Sequence, residues 1–366
     1  MFSVPQKIIH HLLRWSSILL VVCLLLSAYL PYLNPGKYWI SGFAGIFFPV
    51  LFLVCLALIP LWFFYKKKYA FVILAIMLLC TKPALQTWGL HIFGNNDHSI
   101  QANSKQFTLM TYNVSSMGLS QYKINQPERL AVFDMVSQAS PDILCMQEFY
   151  TNDNPDLSRN LDSLRLVGKY PYHYFTCDWV NWDTWYYGIV LFSRYPVVNA
   201  KTITCDENAK GSGKSFLQAD LVIHGDTIRV LTGQLISYMF HSEDRHVRAL
   251  ASAAFLRKMK KTFSSRAAQA LQLAALTAES PYPVIVCGDF NDTPASYTYN
   301  TISKGLQDAF LQTGSGWGRT LSYLSPTLRI DYLLPQSNFN IHSCKVFQPP
   351  LSEHFPVMAC LSLKNQ

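Results

Sequence analysis

The chain has 366 residues, half of them hydrophobic and only 14% charged, with a formal net charge of +8. An average soluble domain carries about 25% charged residues, so the chain divides into two unlike parts. Residues 1–100 hold seven Lys or Arg (Lys7, Arg14, Lys37, Lys66, Lys67, Lys68, Lys82) against one acid, Asp97. The remainder is therefore close to neutral, and the basic balance gives no argument for a nucleic-acid-binding surface.

Three apolar spans come first, at about 15–33, 38–65 and 69–90. Each meets the roughly 20 residues that a helix needs to cross a bilayer. The first span could be read as a cleaved signal peptide, but the lack of a small-residue cleavage site after it and the two spans that follow favour an anchor. Trp15, Tyr29, Tyr32, Tyr38, Trp39, Trp62, Tyr65 and Trp88 gather near span ends, as an interfacial belt would. Lys7, Arg14 and Lys66–Lys68 flank the spans on one side and only Lys37 on the other, which predicts a cytoplasmic N-terminus and a C-terminal domain on the far face. In a bacterium that means the inner membrane, with the domain in the periplasm. Residues 1–92 are thus read as an anchor, 93–105 as a polar linker and 106–366 as a catalytic domain.

Within the domain, strands are expected at 107–113, 142–147, 172–177, 188–193, 197–203, 216–223, 226–234, 283–288, 329–334, 341–347 and 356–362. Leu130, Phe133, Met135 and Val136 predict a helix over 127–139, and an Ala-, Arg- and Leu-rich stretch predicts another over about 242–280. Cys23, Cys55 and Cys80 lie in the spans and Cys145 and Cys287 in core strands, whereas Cys177, Cys205, Cys344 and Cys360 leave pairing open.

The most informative run is Val284-Ile285-Val286-Cys287-Gly288-Asp289-Phe290-Asn291-Asp292-Thr293-Pro294. Four apolar β-formers predict a strand covered on both faces, and the turn formers after them cannot continue a ladder. Asp289 and Asn291 then sit at a strand mouth, where sheets of this kind place chemistry. Two more strands end on polar residues, Thr108–Val114 near Asn113 and Pro141–Glu148 at Glu148. Arg329-Ile330-Asp331-Tyr332-Leu333-Leu334 carries an acid ahead of an apolar run, and Ser352-Glu353-His354-Phe355-Pro356-Val357 puts a His before the last strand.

Taken in chain order, the five pieces resemble the endonuclease/exonuclease/phosphatase superfamily of metal-dependent phosphoesterases, which includes DNase I-like nucleases, inositol-phosphate phosphatases and neutral sphingomyelinases. The resemblance covers about residues 106–364. It implies a two-sheet, four-layer α/β sandwich of the DNase I-like type, here preceded by three transmembrane helices. It also implies Mg²⁺ or Mn²⁺, with Glu148 as the principal metal ligand and Asn113 beside it on metal or phosphate. Asp289 would orient or deprotonate the attacking water and Asn291 would hold a phosphate oxygen. His354 would donate to the phosphate, with its ring held by Asp331. A phosphodiester repels nucleophiles, so such a site needs a cation on the oxygens and a positioned water. Oxygen donors suit hard ions.

Two departures from the family pattern stand out. Gln234 occupies a strand position where relatives usually carry His or Tyr, and it can offer only a neutral hydrogen bond, about half as strong as a charge-assisted one. Glu353 precedes His354 where Asp is common, and is kept as a candidate metal contact with an extra methylene. The expected activity is a membrane-tethered, divalent-metal phosphoesterase acting on a lipid-like or other small phosphodiester. A nuclease is the runner-up, and a catalytically weakened phospho-ligand binder the third reading. The expected partners are the phosphoester, a phospholipid among the candidates, and the bilayer; no protein partner is indicated. Trp179–Tyr187 forms an aromatic-dense loop suited to stacking, to the lipid headgroup zone or to plain packing. The cluster Arg257-Lys258-Met259-Lys260-Lys261 reads as a solvated helix face.

Overall fold

From Phe107 onward, strands and helices fold into two sheets laid face to face. The computed structural model describes residues 6–90, 105–121, 127–154, 159–181, 184–206, 212–238, 253–323, 325, 327–349 and 351–364. The chain opens with α1 (Gln6–Tyr29), α2 (Ser41–Tyr65), α3 (Lys67–Leu79), α4 (Thr81–Thr87) and β1 (Gly89–Leu90). Then come β2 (Phe107–Asn113), α5 (Pro127–Ala139), β3 (Ile143–Asn152), α6 (Asn160–Gly168), β4 (Tyr172–Phe175), β5 (Trp179–Asn181) and β6 (Trp185–Ser193). Next are β7 (Val197–Thr204), β8 (Ser215–Ile223), β9 (Asp226–Gln234), α7 (Ala253–Ala278), β10 (Val284–Asp289), α8 (Tyr297–Ile302) and α9 (Ala309–Thr313). The last strands are β11 (Ser315–Gly316), β12 (Asp331–Pro335), β13 (Phe339–Val346) and β14 (Val357–Leu363).

One sheet has the order β12-β10-β9-β8-β7, the other β13-β14-β2-β3-β6-β4 with β5 also on β6. Side chains alternate across each strand. Leu109, Ile143 and Leu191 from one sheet therefore meet Leu217, Ala219, Val230 and Ile285 from the other in the central core. The opposite faces of the same strands are covered by helices. Met110, Leu144 and Met146 pack on Val132, Phe133 and Val136 of α5, and Val284 and Val286 pack with Ala270 and Leu273 of α7. Burial on both faces explains the unbroken apolar runs in the sequence.

The architecture is the expected DNase I-like sandwich, and all eleven expected strands form, with ends shifted by a few residues. β3 runs on to Asn152, β6 starts at Trp185 and β12 starts at Asp331. The aromatic segment read as a loop is instead a hairpin, with Trp179 opposite Tyr187 and Asn181 opposite Trp185. Its Trp182 and Asp183 lie outside the described residues, as do 242–252 of the long helix and all of the expected linker except Lys105.

α1 and α2 are long and apolar enough to cross a membrane. The third apolar stretch, expected to cross over 69–90, is bent: α3 stops at Leu79 and α4 leaves it at 65°, and the pair is long and apolar enough to cross if counted as one broken span. Pro83 lacks an N–H and its ring opposes the carbonyl four residues back, so the helix cannot run straight through it. The bend falls level with the end of α1, where Tyr29 Oη donates to Leu79 O at 2.8 Å and Lys82 lies 4.9 Å from the Tyr32 ring. The Lys66–Lys68 turn is at the other end of the bundle, where Trp62 contacts both His10 and Tyr69.

Candidate active site

Three neighbouring strands of the five-stranded sheet bring polar residues to one row. Gln234 of β9 lies opposite Asp289 in a parallel pairing, and Asp331 of β12 lies opposite Asp289 in an antiparallel one. β9 and β10 approach closely because Gly288 has φ 136° and a Cβ there would lie 2.0 Å from Gly233 O.

The seven-stranded sheet supplies the facing groups. β3 bulges between Met146 and Phe149, and Glu148 takes a left-handed φ of 52°. Such a bulge re-aims a side chain. Glu148 turns to the cleft, while Gln147 stays buried and ties the sheets together through Nε2–H to Thr232 Oγ1 at 3.1 Å.

Asn113 joins the two halves, its Nδ2 donating to Glu148 Oε1 at 3.1 Å and to Asp289 Oδ2 at 3.0 Å. Gln234 Nε2 donates to Glu148 Oε1 at 2.5 Å and lies 3.3 Å from Asp289 Oδ2. Asn291 donates its backbone N–H to Asp289 Oδ1 at 2.8 Å and its Nδ2 to Leu235 O and Asp289 Oδ2. With both amide hydrogens of Asn291 engaged, its observed contact is to Asp289, and holding a phosphate oxygen would require releasing one of them.

His354 completes the row. Its Nδ1 lies 3.0 and 3.2 Å from the Asp331 carboxylate oxygens, and its Nε2 lies 3.8 Å from Asp289 Oδ2. Asp331 thereby fixes the ring so that Nε2 faces the cleft. Burial lowers the His354 pKa, but Asp331, Asp289 and Glu148 outweigh it and push it up to about 10. Asp289 is fully buried, and that burial, with Asp331 adding to it and His354 opposing, raises its pKa to about 6.

The structure thus gathers Asn113, Glu148, Gln234, Asp289, Asn291, Asp331 and His354. Glu353 stands apart from them: its side chain is exposed, and its carbonyl accepts from Ser322 N. Adjacent residues in extended chain point to opposite sides, so turning His354 inward turns Glu353 outward. Sequence reasoning missed Ser352, whose Oγ donates to Asn113 O at 2.9 Å and accepts from His354 N at 3.1 Å. It also missed Thr320, whose Oγ1 accepts from the backbone of Ile330 and Asp331. Neither carries a sequence signal beyond its nearness to a motif.

A cavity of about 540 Å³ adjoins Glu148 and Gln234 and is walled by Asp178, Trp179, Tyr187 and Lys214. Lys214 Nζ sits 3.9 Å over the Trp179 ring. A larger hollow, about 640 Å³ near His224 and Asn338, lies at the other end of the strands, away from these groups.

Residues 110–354 match the Endonuclease/Exonuclease/phosphatase family profile. The chain belongs to that family. Residues 10–87 match a domain of unknown function, DUF8431. No curated protein matches the sequence. Among solved structures, a family protein from Bacteroides thetaiotaomicron is 16% identical over 71% of this chain and 98% of its own, with a TM-score of 0.52. A humanized D. rerio TDP2 is 14% identical, covering 70% and 99%, at 0.51, and the human Nocturnin catalytic domain is 20% identical, covering 71% and 94%, at 0.50. At such identities the likeness is one of fold. The endonuclease/exonuclease/phosphatase family generally hydrolyses phosphoesters with a divalent metal, and the donor chemistry fits one. Ligand atoms of Asp289, Asp331 and His354 lie within 4.8 Å of one another, with the Glu148 carboxylate linked to them through Asn113 and Gln234.

Proposed function

We propose that the protein is a membrane-anchored phosphoesterase that hydrolyses a phosphodiester, lipid-like or otherwise small, with Mg²⁺ or Mn²⁺ bound in this cleft. The observation that carries the reading is the convergence of Asn113, Gln234, Asn291 and His354 on the buried Asp289 carboxylate. Glu148 and the Asn113 side chain would hold the metal, which supplies charge neutralisation at the phosphate oxygens. Asp289 orients the attacking water and accepts its proton, a task helped by a pKa closer to neutrality. His354 donates from Nε2 to the phosphate, with Asp331 holding the other ring nitrogen. Ala295, four residues beyond Asn291, packs in the apolar cluster of the anchor, which supports a substrate presented at the lipid surface.

The test is hydrolysis by the full chain in nanodiscs of an aryl phosphodiester, phospholipid vesicles and plasmid DNA, with and without Mn²⁺. Metal-dependent turnover of the aryl ester and the lipid is expected; cleavage of DNA alone would favour the nuclease. A second reading, a phospho-ligand binder, draws on the engagement of the Asn113, Gln234 and Asn291 amides by carboxylates. Binding of a phosphorylated ligand without turnover of any ester would establish it. For topology, the basic Lys66–Lys68 turn is assigned to the cytoplasm and the domain to the opposite face, periplasmic in a bacterium. An alkaline-phosphatase fusion after Gln366 should be active, and an inactive fusion would reverse the assignment.

A further inference from the structure

The strand ends that carry Gln234, Asp289 and Asp331 are braced by the anchor. The helix α2 backbone lies directly on the loop after Asn291, since a Cβ on Gly45 would fall 2.0 Å from Ala295 O. One turn earlier, a Cβ on Gly42 would fall 2.4 Å from the Phe263 ring of α7, and Phe43 meets the same ring edge-on at 4.8 Å. α7 in turn holds the chain just past Gln234, with Arg266 donating to Ile236 O at 2.8 and 3.0 Å.

The second brace starts at Gln86. Its carbonyl accepts from Arg329 Nη2 at 2.7 Å, two residues before Asp331, and its Nε2 donates to Asn300 at 3.0 Å. Then Trp88 packs on Trp317 at 5.2 Å, and Gly89–Leu90 pairs with Ser315–Gly316. The strap from Trp317 leads to Thr320, which binds the Ile330 and Asp331 amides, and to Leu321, which bridges to His354.

We infer that the outer edge of the anchor, Gly42–Gly45 and Gln86–Leu90, is part of the active-site scaffold, with Gly45 and Trp88 acting as positioning residues for the Asp289 loop and the Asp331–His354 pair. A tether alone would leave the chemistry indifferent to these contacts. The kinetic arm of the test rests on the phosphoesterase reading; the exchange arm does not.

In the full chain, Gly45→Val and Trp88→Ala should each lower kcat on a soluble aryl phosphodiester at least about 10-fold, with KM within about twofold. Trp88→Phe should recover most of the loss, and Phe64→Ala, on the exposed surface of α2, should change nothing. Hydrogen exchange of the Ile330 and Asp331 amides should speed about 10-fold in Trp88→Ala, whether or not any substrate is turned over. Oxidation of the Leu90→Cys, Ser315→Cys double variant should form the cross-link between these paired positions. Wild-type kcat in both Gly45→Val and Trp88→Ala, or unchanged exchange in Trp88→Ala, would overturn the inference. Absence of turnover in the wild type would count against the phosphoesterase reading alone, leaving exchange to decide this one.

Discussion

Two sets of buried charge lie close together in this molecule and are balanced in opposite ways. Beside the cleft, Arg329 pairs with Asp308 at 2.5 Å and Arg266 faces Asp292 at 3.6 Å, one cation for each acid. In the cleft, Glu148, Asp289 and Asp331 share one imidazole and a few amide donors. The first arrangement is balanced in charge and serves the scaffold. The second has carboxylate to spare, which is the condition for taking up a cation.

The contrast breaks most sharply at Asp289. Asp289→Asn should cut turnover of a phosphodiester by about 10³-fold, because it removes the proton acceptor while leaving the shape nearly unchanged. A rate within tenfold of wild type would assign the base elsewhere. On the scaffold side, Arg329→Leu should cost about 3 kcal/mol of stability by leaving Asp308 buried without its partner. Denaturant unfolding of the full chain in detergent measures it, and a loss below about 1 kcal/mol would contradict the pairing argument.

Stability of the metal-free protein should respond to Asp289→Asn with the opposite sign. The Asp289 pKa in the folded chain lies above its ordinary 3.8, so ionisation costs stability, and that cost builds as pH rises from 3.8 to about 6. Removing the carboxyl should therefore stabilise the chain at pH 7 in EDTA by about 1–3 kcal/mol. A lower melting temperature for the variant would refute this. Gln234→His puts a charge-assisted donor against Glu148 and Asp289, and should change turnover up to about tenfold while adding a limb to the pH–rate profile above the ordinary His value of about 6.5, since both carboxylates favour the imidazolium. An unaltered profile would mean that this position does not influence the reacting groups.

A separate test is the pH dependence of His354. Its folded pKa of about 10 lies above its ordinary 6.5, so its contribution is fully present below pH 6.5 and is lost as pH rises through about 10. Metal-free wild type should lose stability over that window more steeply than His354→Ala, and parallel curves would exclude the linkage.

Much of this was legible in the sequence because it depends on local pattern. The run ending in Asp289 is apolar on both sides of a strand, and its turn formers mark where it stops. What was not legible depends on how separate pieces meet. Nothing local says that Gln234 will contact Glu148, which is 86 residues away, or that Asn291 will direct both amide hydrogens inward. Glu353 is exposed although its neighbour His354 is buried, and nearness in sequence says nothing of side-chain direction. The bend at the end of α3 was not read, because hydropathy runs unbroken through Pro83 and membrane helices tolerate proline.

The pair of glycines at the strand mouth sets a limit on how this protein can change over time. Gly233 and Gly288 lie opposite each other in adjacent strands, and any side chain at Gly288 would collide with the neighbouring backbone. A mutation there would push β9 and β10 apart and carry Gln234 and Asp289 with them, so lineages that keep the activity have little freedom at this point. New substrate preference would have to arise farther out, in the walls around Trp179 and Lys214, where the backbone leaves room for variation.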